Sequence, residues 1–99
     1  MRDELGGELT HTLAIDYVKQ GVRVNAVCPG DTDTPMEHED ARNQEMTWDE
    51  YLAFATEGRP IARMGWPDEV ARAVLYLASD EASFVTGVAL PVDGGGVAG

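Results

Sequence analysis

Basic residues are scarce in this sequence. Against 18 Asp and Glu stand only 7 Lys and Arg, and Lys19 is the only lysine. The net charge of -11 repels phosphate backbones and anionic lipid, so neither nucleic acid nor a membrane surface is an expected partner. Cysteine is nearly absent too. Cys28 stands alone, which excludes an internal disulfide and fits a reducing cytoplasm. No apolar run approaches the roughly 18 residues that a membrane span needs, and residues 1–7 hold no long apolar stretch, so no signal peptide is expected. No internal repeat is visible. The 99 residues suffice for one small domain. A hydrophobic fraction of 43% and a charged fraction of 25% argue against wholesale disorder.

What is present alternates between helix and strand. Leu5, Leu9, Leu13 and Tyr17 recur every four residues, which predicts a helix from about Gly7 to Lys19. Gly6 and Gly7 weaken its start, at about 1 kcal/mol each, and Gly21 is placed to cap its end. Val22 to Cys28 is β-branched and reads as a strand that Pro29-Gly30 ends. Residues 31–65 are the least regular part, although Thr47 and Glu50 have the spacing of a capping box at the start of a short helix. Pro67 opens the clearest helix, with Asp68 and Glu69 at its positive end and an apolar face of Val70, Ala71, Val74, Leu75, Leu77 and Ala78 running to Ser79. Val88 to Val92 reads as a last strand, at a sheet edge because Pro91 cannot donate a ladder bond. Gly94-Gly95-Gly96 reads as a flexible tail. Strand, helix, strand implies an α/β fold with a parallel pair and a right-handed crossover. Two parallel strands cannot cover both their faces and edges. The expected fold is therefore the end of a doubly wound parallel sheet, incomplete within these residues.

Three segments together resemble the short-chain dehydrogenase/reductase family. They are Val22-Arg23-Val24-Asn25-Ala26-Val27-Cys28-Pro29-Gly30, then Arg59-Pro60-Ile61-Ala62-Arg63-Met64-Gly65-Trp66-Pro67-Asp68-Glu69-Val70-Ala71, and finally Tyr76 to Gly87 leading to Val92-Asp93-Gly94-Gly95. The resemblance covers roughly residues 9–96 and is weakest over 37–58. It implies that residues 1–99 are a partial domain, the C-terminal portion of a Rossmann-like sheet that has seven strands in the family. The family's glycine-rich phosphate turn and its Tyr-x-x-x-Lys pair do not occur here. Tyr17, Tyr51 and Tyr76 are followed four residues later by Gly21, Ala55 and Asp80. The family's catalytic Ser belongs upstream as well, so no catalytic residue is assigned.

The resemblance does assign part of a cofactor site. The family's turn after its sixth strand reads Pro-Gly-x-Val/Ile-x-Thr, and here it is Pro29-Gly30-Asp31-Thr32-Asp33-Thr34. Pro29, Gly30, Thr32 and Thr34 are thus the expected contacts to the nicotinamide end of NAD or NADP, with Thr32 in place of the usual Val or Ile. The implied activity is hydride transfer to or from a carbonyl/alcohol small molecule, with the chain inactive alone. The implied assembly is a homo-oligomer, and a non-catalytic oligomerisation module is the alternative. Other candidates read more plainly. Met36-Glu37-His38-Glu39-Asp40 lacks metal-site spacing and is expected to be a solvated, mobile substrate loop, so no metal is assigned. His11 reads as a surface or packing residue and Cys28 as a small core residue. Trp48, Tyr51 and Phe54 fit either core or substrate-lid packing.

Overall fold

The computed structural model describes residues 4–96, the first three by backbone alone. Helix α1 (Glu4–Tyr17) passes into a 3-10 turn, Val18–Gln20. Gly21 stops it in the left-handed conformation, with φ 76° and its N–H on the Val18 carbonyl, as expected for a glycine cap. The helix starts earlier than the sequence reading placed it and carries Gly6 and Gly7 inside. Its inner face is not the large-residue stripe. Thr10 and Ala14 are the buried positions, whereas Leu9 is 59% exposed and Tyr17 and Ile15 are also uncovered. Leu5, the first member of the stripe, has a side chain outside the described residues. Small residues let the helix approach the sheet closely: a Cβ at Gly7 would lie 3.9 Å from that of Ala89.

The sheet has two strands, β1 (Ala26–Pro29) and β2 (Ala89–Val92). They pair in parallel, with Ala26 opposite Ala89 and Pro29 opposite Val92. The expected strand 22–28 thus begins four residues late, for a reason carried by side chains. Asn25 donates to the Val85 carbonyl and accepts from the Val88 N–H, and the Thr86 hydroxyl accepts from the Val24 N–H. Side-chain bonds interrupt the ladder there, although Gly87 N–H still donates to the Val24 carbonyl at 2.8 Å. Arg23 reaches further, donating to the carbonyls of Leu77, Ser79 and Val85. Its cation thereby satisfies the C-terminal end of α4 (Pro67–Ala78), whose own last turn holds no basic residue.

Helix α4 lies between the strands in sequence and touches both. Pro67 occupies its first turn, and Glu69 accepts the Trp66 N–H at 2.9 Å. Its covered line is narrower than the apolar face in the sequence. Leu77 is buried and Val70 and Ala73 half-buried, while Val74 is 51% and Leu75 69% exposed. A helix with apolar residues over so wide an arc needs more sheet than two strands provide.

Residues 31–65 depart most from expectation. They hold two helices, α2 (Pro35–Asn43) and α3 (Trp48–Thr56). The stretch Met36–Asp40 is helical, and the solvated-loop reading is corrected. The signal for α2 was in the sequence: Thr34 and Glu37 have capping-box spacing, and Pro35 suits the first helical position. Its lack of an apolar stripe concealed it. At α3 both halves of the expected box form, Glu50 N–H to Thr47 Oγ1 and Thr47 N–H to Glu50 Oε1. These contacts hold the Glu50 carboxyl below its ordinary range. The pair closes around Ala41, Tyr51 and Met64, with Met46, Trp48, Leu52 and Ala55 packed on them. Phe54 is 65% exposed and belongs to no core.

The glycines after β2 form a turn seated on the 59–61 segment, not an unattached tail. Ile61 N–H donates to the Gly94 carbonyl at 2.9 Å, and Gly94 and Gly95 have φ of 63° and 88°. A Cβ at Gly95 would fall 3.1 Å from Pro60. The Cα radius of gyration is 16.0 Å, against about 13 Å for a close-packed chain of this length. No helix among the described residues is long and apolar enough to cross a membrane.

Candidate functional site

The turn that leaves β1 runs along the carboxyl end of the sheet, where open α/β folds bind ligands. Pro29 ends the strand, and Gly30 N–H extends the ladder by donating to the Val92 carbonyl at 3.0 Å. Here glycine is required by space. A Cβ on Gly30 would stand 2.7 Å from the Asp93 Cβ.

Beyond Gly30 the turn is held from one side. Thr32 forms an isolated parallel bridge with Gly65. Gly65 N–H donates to the Asp31 carbonyl at 2.9 Å, and Asp33 N–H donates to the Gly65 carbonyl at 2.8 Å. In such a bridge the middle residue turns its own N–H and C=O to the opposite side. Neither group of Thr32 is taken by another backbone group among the described residues. The Thr32 hydroxyl donates to the Gly30 carbonyl at 3.1 Å, which stiffens the turn. Thr34 precedes α2 in an extended conformation, and its side chain makes no capping bond. The turn thus leaves a backbone donor, a backbone acceptor and a hydroxyl uncommitted within a few residues.

The flanks are fixed by ion pairs. Arg59 donates to Asp31 Oδ2 at 2.8 Å and to the Ala55 carbonyl at 3.2 Å. Arg63 grips Glu69 with both terminal nitrogens, at 2.8 and 3.0 Å. That fork, with the Trp66 N–H, pushes the Glu69 carboxyl down to about 2, and the facing Glu69 carboxylate pushes the Arg63 guanidinium up. Asp31, Arg59, Arg63, Glu69 and Val92 help line a cavity of about 310 Å³. Pro29, Gly30, Thr32 and Thr34 do not line it. Among the described residues no cluster of His, Cys, Asp and Glu could hold a metal.

Helices α2 and α3 follow the turn. The Tyr51 phenol lies 2.6 Å from Glu37 Oε2 and 2.8 Å from Asp40 Oδ2. Its hydrogen bonds to those two carboxylates, Glu37 first, push its pKa well up. A phenol shifted that way keeps its proton and cannot serve as a catalytic phenolate. His38 bonds Asp33 at 2.8 Å and stacks on Trp48 at 3.6 Å. The sequence reading placed neither contact. His11 is exposed and Cys28 half-buried.

Comparison with known proteins agrees with this geometry. A family model described as enoyl-(acyl carrier protein) reductase matches residues 7–96. The chain is 46% identical over 89 residues to 2-keto-3-deoxy-L-fuconate dehydrogenase of Xanthomonas campestris, covering 88% of this chain and 29% of that protein. It is 47% identical over 90 residues to 3beta-hydroxysteroid dehydrogenase 1 of Eggerthella lenta, covering 90% and 32%. A short chain dehydrogenase family protein from Francisella tularensis superposes with a TM-score of 0.83 at 36% identity, over 94% of this chain and 40% of that one. The chain therefore spans about a third of the length of these curated relatives.

Proposed function

The chain belongs to the short-chain dehydrogenase/reductase family, and from that premise we propose that it is the C-terminal part of an oxidoreductase that uses NAD or NADP on carbonyl and alcohol groups. The observation that carries this reading is the free face of Thr32. A primary carboxamide offers one donor and one acceptor along its edge, and the uncommitted N–H and C=O of Thr32 match it. The Thr34 hydroxyl, free of any capping role, adds a further polar contact. Pro29 and Gly30 set the start of the turn, and Gly30 allows the strand ends to close against Asp93. Bound there, the nicotinamide would donate or accept the hydride, and these residues would bind and orient it.

None of the three tyrosines is set up for the proton half of such a reaction. Tyr51 holds its proton against Glu37 and Asp40, Tyr17 and Tyr76 are more than 40% exposed, and neither is followed by the family's Lys. We expect the purified chain to give no NAD(P)H oxidation above buffer with ketone or aldehyde substrates. A steady-state rate that survives repurification would refute this. The turn covers only the nicotinamide end of the cofactor, since a phosphate-binding glycine turn before a helix is absent from the sequence. Calorimetry should therefore find NAD or NADP binding no tighter than about millimolar, near -4 kcal/mol. Micromolar affinity would overturn the assignment of a partial site.

One observation favours a second reading, an association module derived from the same family. Leu9, Ile15, Val74, Leu75 and Phe84 are all more than half exposed, and apolar surface of this kind drives assembly. A folded homo-oligomer that binds no nucleotide would support that reading over the first.

A further inference from the structure

We propose that Arg63 and Glu69 are positioning residues for the ligand face of Thr32, acting on it through Gly65. The Thr32 N–H and C=O belong to two different peptide units. The first also carries the Asp31 carbonyl, and the second also carries the Asp33 N–H. A peptide unit is planar and trans, so its N–H points opposite to its C=O. Each outward group of Thr32 is therefore aimed by the group on the other side of its own unit. Those two groups are held. Gly65 N–H donates to the Asp31 carbonyl at 2.9 Å, and Asp33 N–H donates to the Gly65 carbonyl at 2.8 Å.

Gly65 is aimed in the same way. Its N–H shares a peptide unit with the Met64 carbonyl, and its C=O shares one with the Trp66 N–H. Arg63 Nη1 donates to the Met64 carbonyl at 3.0 Å. Glu69 Oε1 accepts from the Trp66 N–H at 2.9 Å. The fork joins the two side chains to each other, at 2.8 and 3.0 Å. One pair thus grips the outer side of both peptide units that flank Gly65, while their inner sides grip the turn. A planar guanidinium suits this task, because it bridges both carboxylate oxygens and still reaches a carbonyl. The neighbours of Gly65 are anchored as well. Met64 is 5% exposed in the core of the helical pair, and Trp66 leads directly into α4.

Neither Arg63 nor Glu69 bonds Thr32 directly, so both act through the peptide units between. Their side chains are 50% and 35% exposed. An ion pair that open adds little to global stability, so its removal should be felt at the turn and not throughout the chain. What the face of Thr32 binds rests on the nicotinamide reading; that the pair sets its direction does not.

Hydrogen exchange on the full chain without nucleotide tests the coupling. Arg63→Met keeps the stem and removes the donors. The Gly65 and Asp33 amides should then exchange about fivefold faster. The Ala26, Gly30 and Tyr51 amides, which donate to Val88, Val92 and Thr47, should keep their rates. Glu69→Gln keeps an oxygen for the Trp66 N–H, so its change at Asp33 should be smaller than in R63M, and this milder variant serves if R63M fails to fold. Swapping the pair, Arg63→Glu with Glu69→Arg, preserves the net charge and the opposite signs but should not restore the rates. A carboxylate at 63 has no proton for the Met64 carbonyl, and a guanidinium at 69 cannot accept from the Trp66 N–H. Unchanged rates at Gly65 and Asp33, equal acceleration at all five amides, or full recovery in the swap would each overturn the proposal. The Thr32 amide resonance of the parent chain, followed as NAD is added to millimolar concentration, decides the nicotinamide reading apart. No movement there sinks that reading and leaves the exchange result standing. A movement of equal size in R63M would overturn the positioning role.

Discussion

The two ends of this molecule cover their large apolar side chains to different extents, although Phe54 of the helical end is exposed and Leu77 of the sheet end is buried. The α2–α3 pair buries Tyr51 and Met64 to 6% and 5% exposure. In the sheet end, every described residue of β1 and β2 is only half-buried or exposed. There Leu75 and Phe84 stand 69% and 102% exposed. The range of their contacts separates the two regions. The helical pair closes its core with residues 41–64, close in sequence, as helical hairpins do. A parallel sheet draws its partners from far along a chain, and its faces stay open until they arrive. The helical pair thus closes a small core among residues near in sequence, and the two-stranded sheet does not.

The strongest way to break this contrast is to hollow out the closed end. Met64→Ala removes a core side chain and should cost about 2–5 kcal/mol. Hydrogen exchange should then show faster opening in α2 and α3 and little change at β1. Equal acceleration at both ends would mean that the two regions unfold as one unit.

A smaller effect is expected where the sheet end is tight. Gly30→Ala places a methyl against Asp93 and should cost about 1–3 kcal/mol, with the Gly30–Val92 bond lost first. A thermal midpoint equal to that of the parent chain would show that the strand ends have slack. Thr47→Ala removes the cap of α3 and should cost about 1 kcal/mol, read as reduced helicity together with a lower midpoint. An unchanged midpoint would remove that box from the reasons the helical end holds itself together.

Leu75→Lys sharpens the comparison from the other side. Stability should change by no more than about 0.5 kcal/mol because the side chain is exposed, while association measured by light scattering should weaken. Unaltered association would place the sticky surface elsewhere.

The smallest expected effect is electrostatic. The folded Glu69 carboxyl lies at about 2, below its ordinary 4.5. A depressed carboxylate contributes stability above its unfolded value and loses it as pH falls through the folded one. Anchoring of the α4 start should thus weaken progressively between about pH 4.5 and 2, and Glu69→Gln should remove that pH dependence. The pair is solvent-exposed, so salt should reduce the effect. An unaltered acid profile in E69Q would show that other groups govern it.

Much of this was legible in the residues themselves. The Gly21 stop, the Thr47–Glu50 box and the Pro67 start are local devices, with donors and acceptors a few residues apart, so the sequence alone determined them. The parallel pairing followed from the order of elements, and the family from motifs at the right separations. Tertiary structure decided what depends on partners distant in the chain. The strand begins late because the side chains of Asn25 and Thr86 bond the backbone of the opposite segment, some 60 residues away in the chain. Thr10 and Ala14, not Leu9, became the buried positions of α1 because small residues permit the closest approach to a sheet. The face that Thr32 presents depends on Gly65 holding the turn from one side, and no spacing within Pro29–Thr34 contains that fact. Sequence fixes a conformation where the competing bonds are local; where they lie far apart, only the assembled chain settles which of them form.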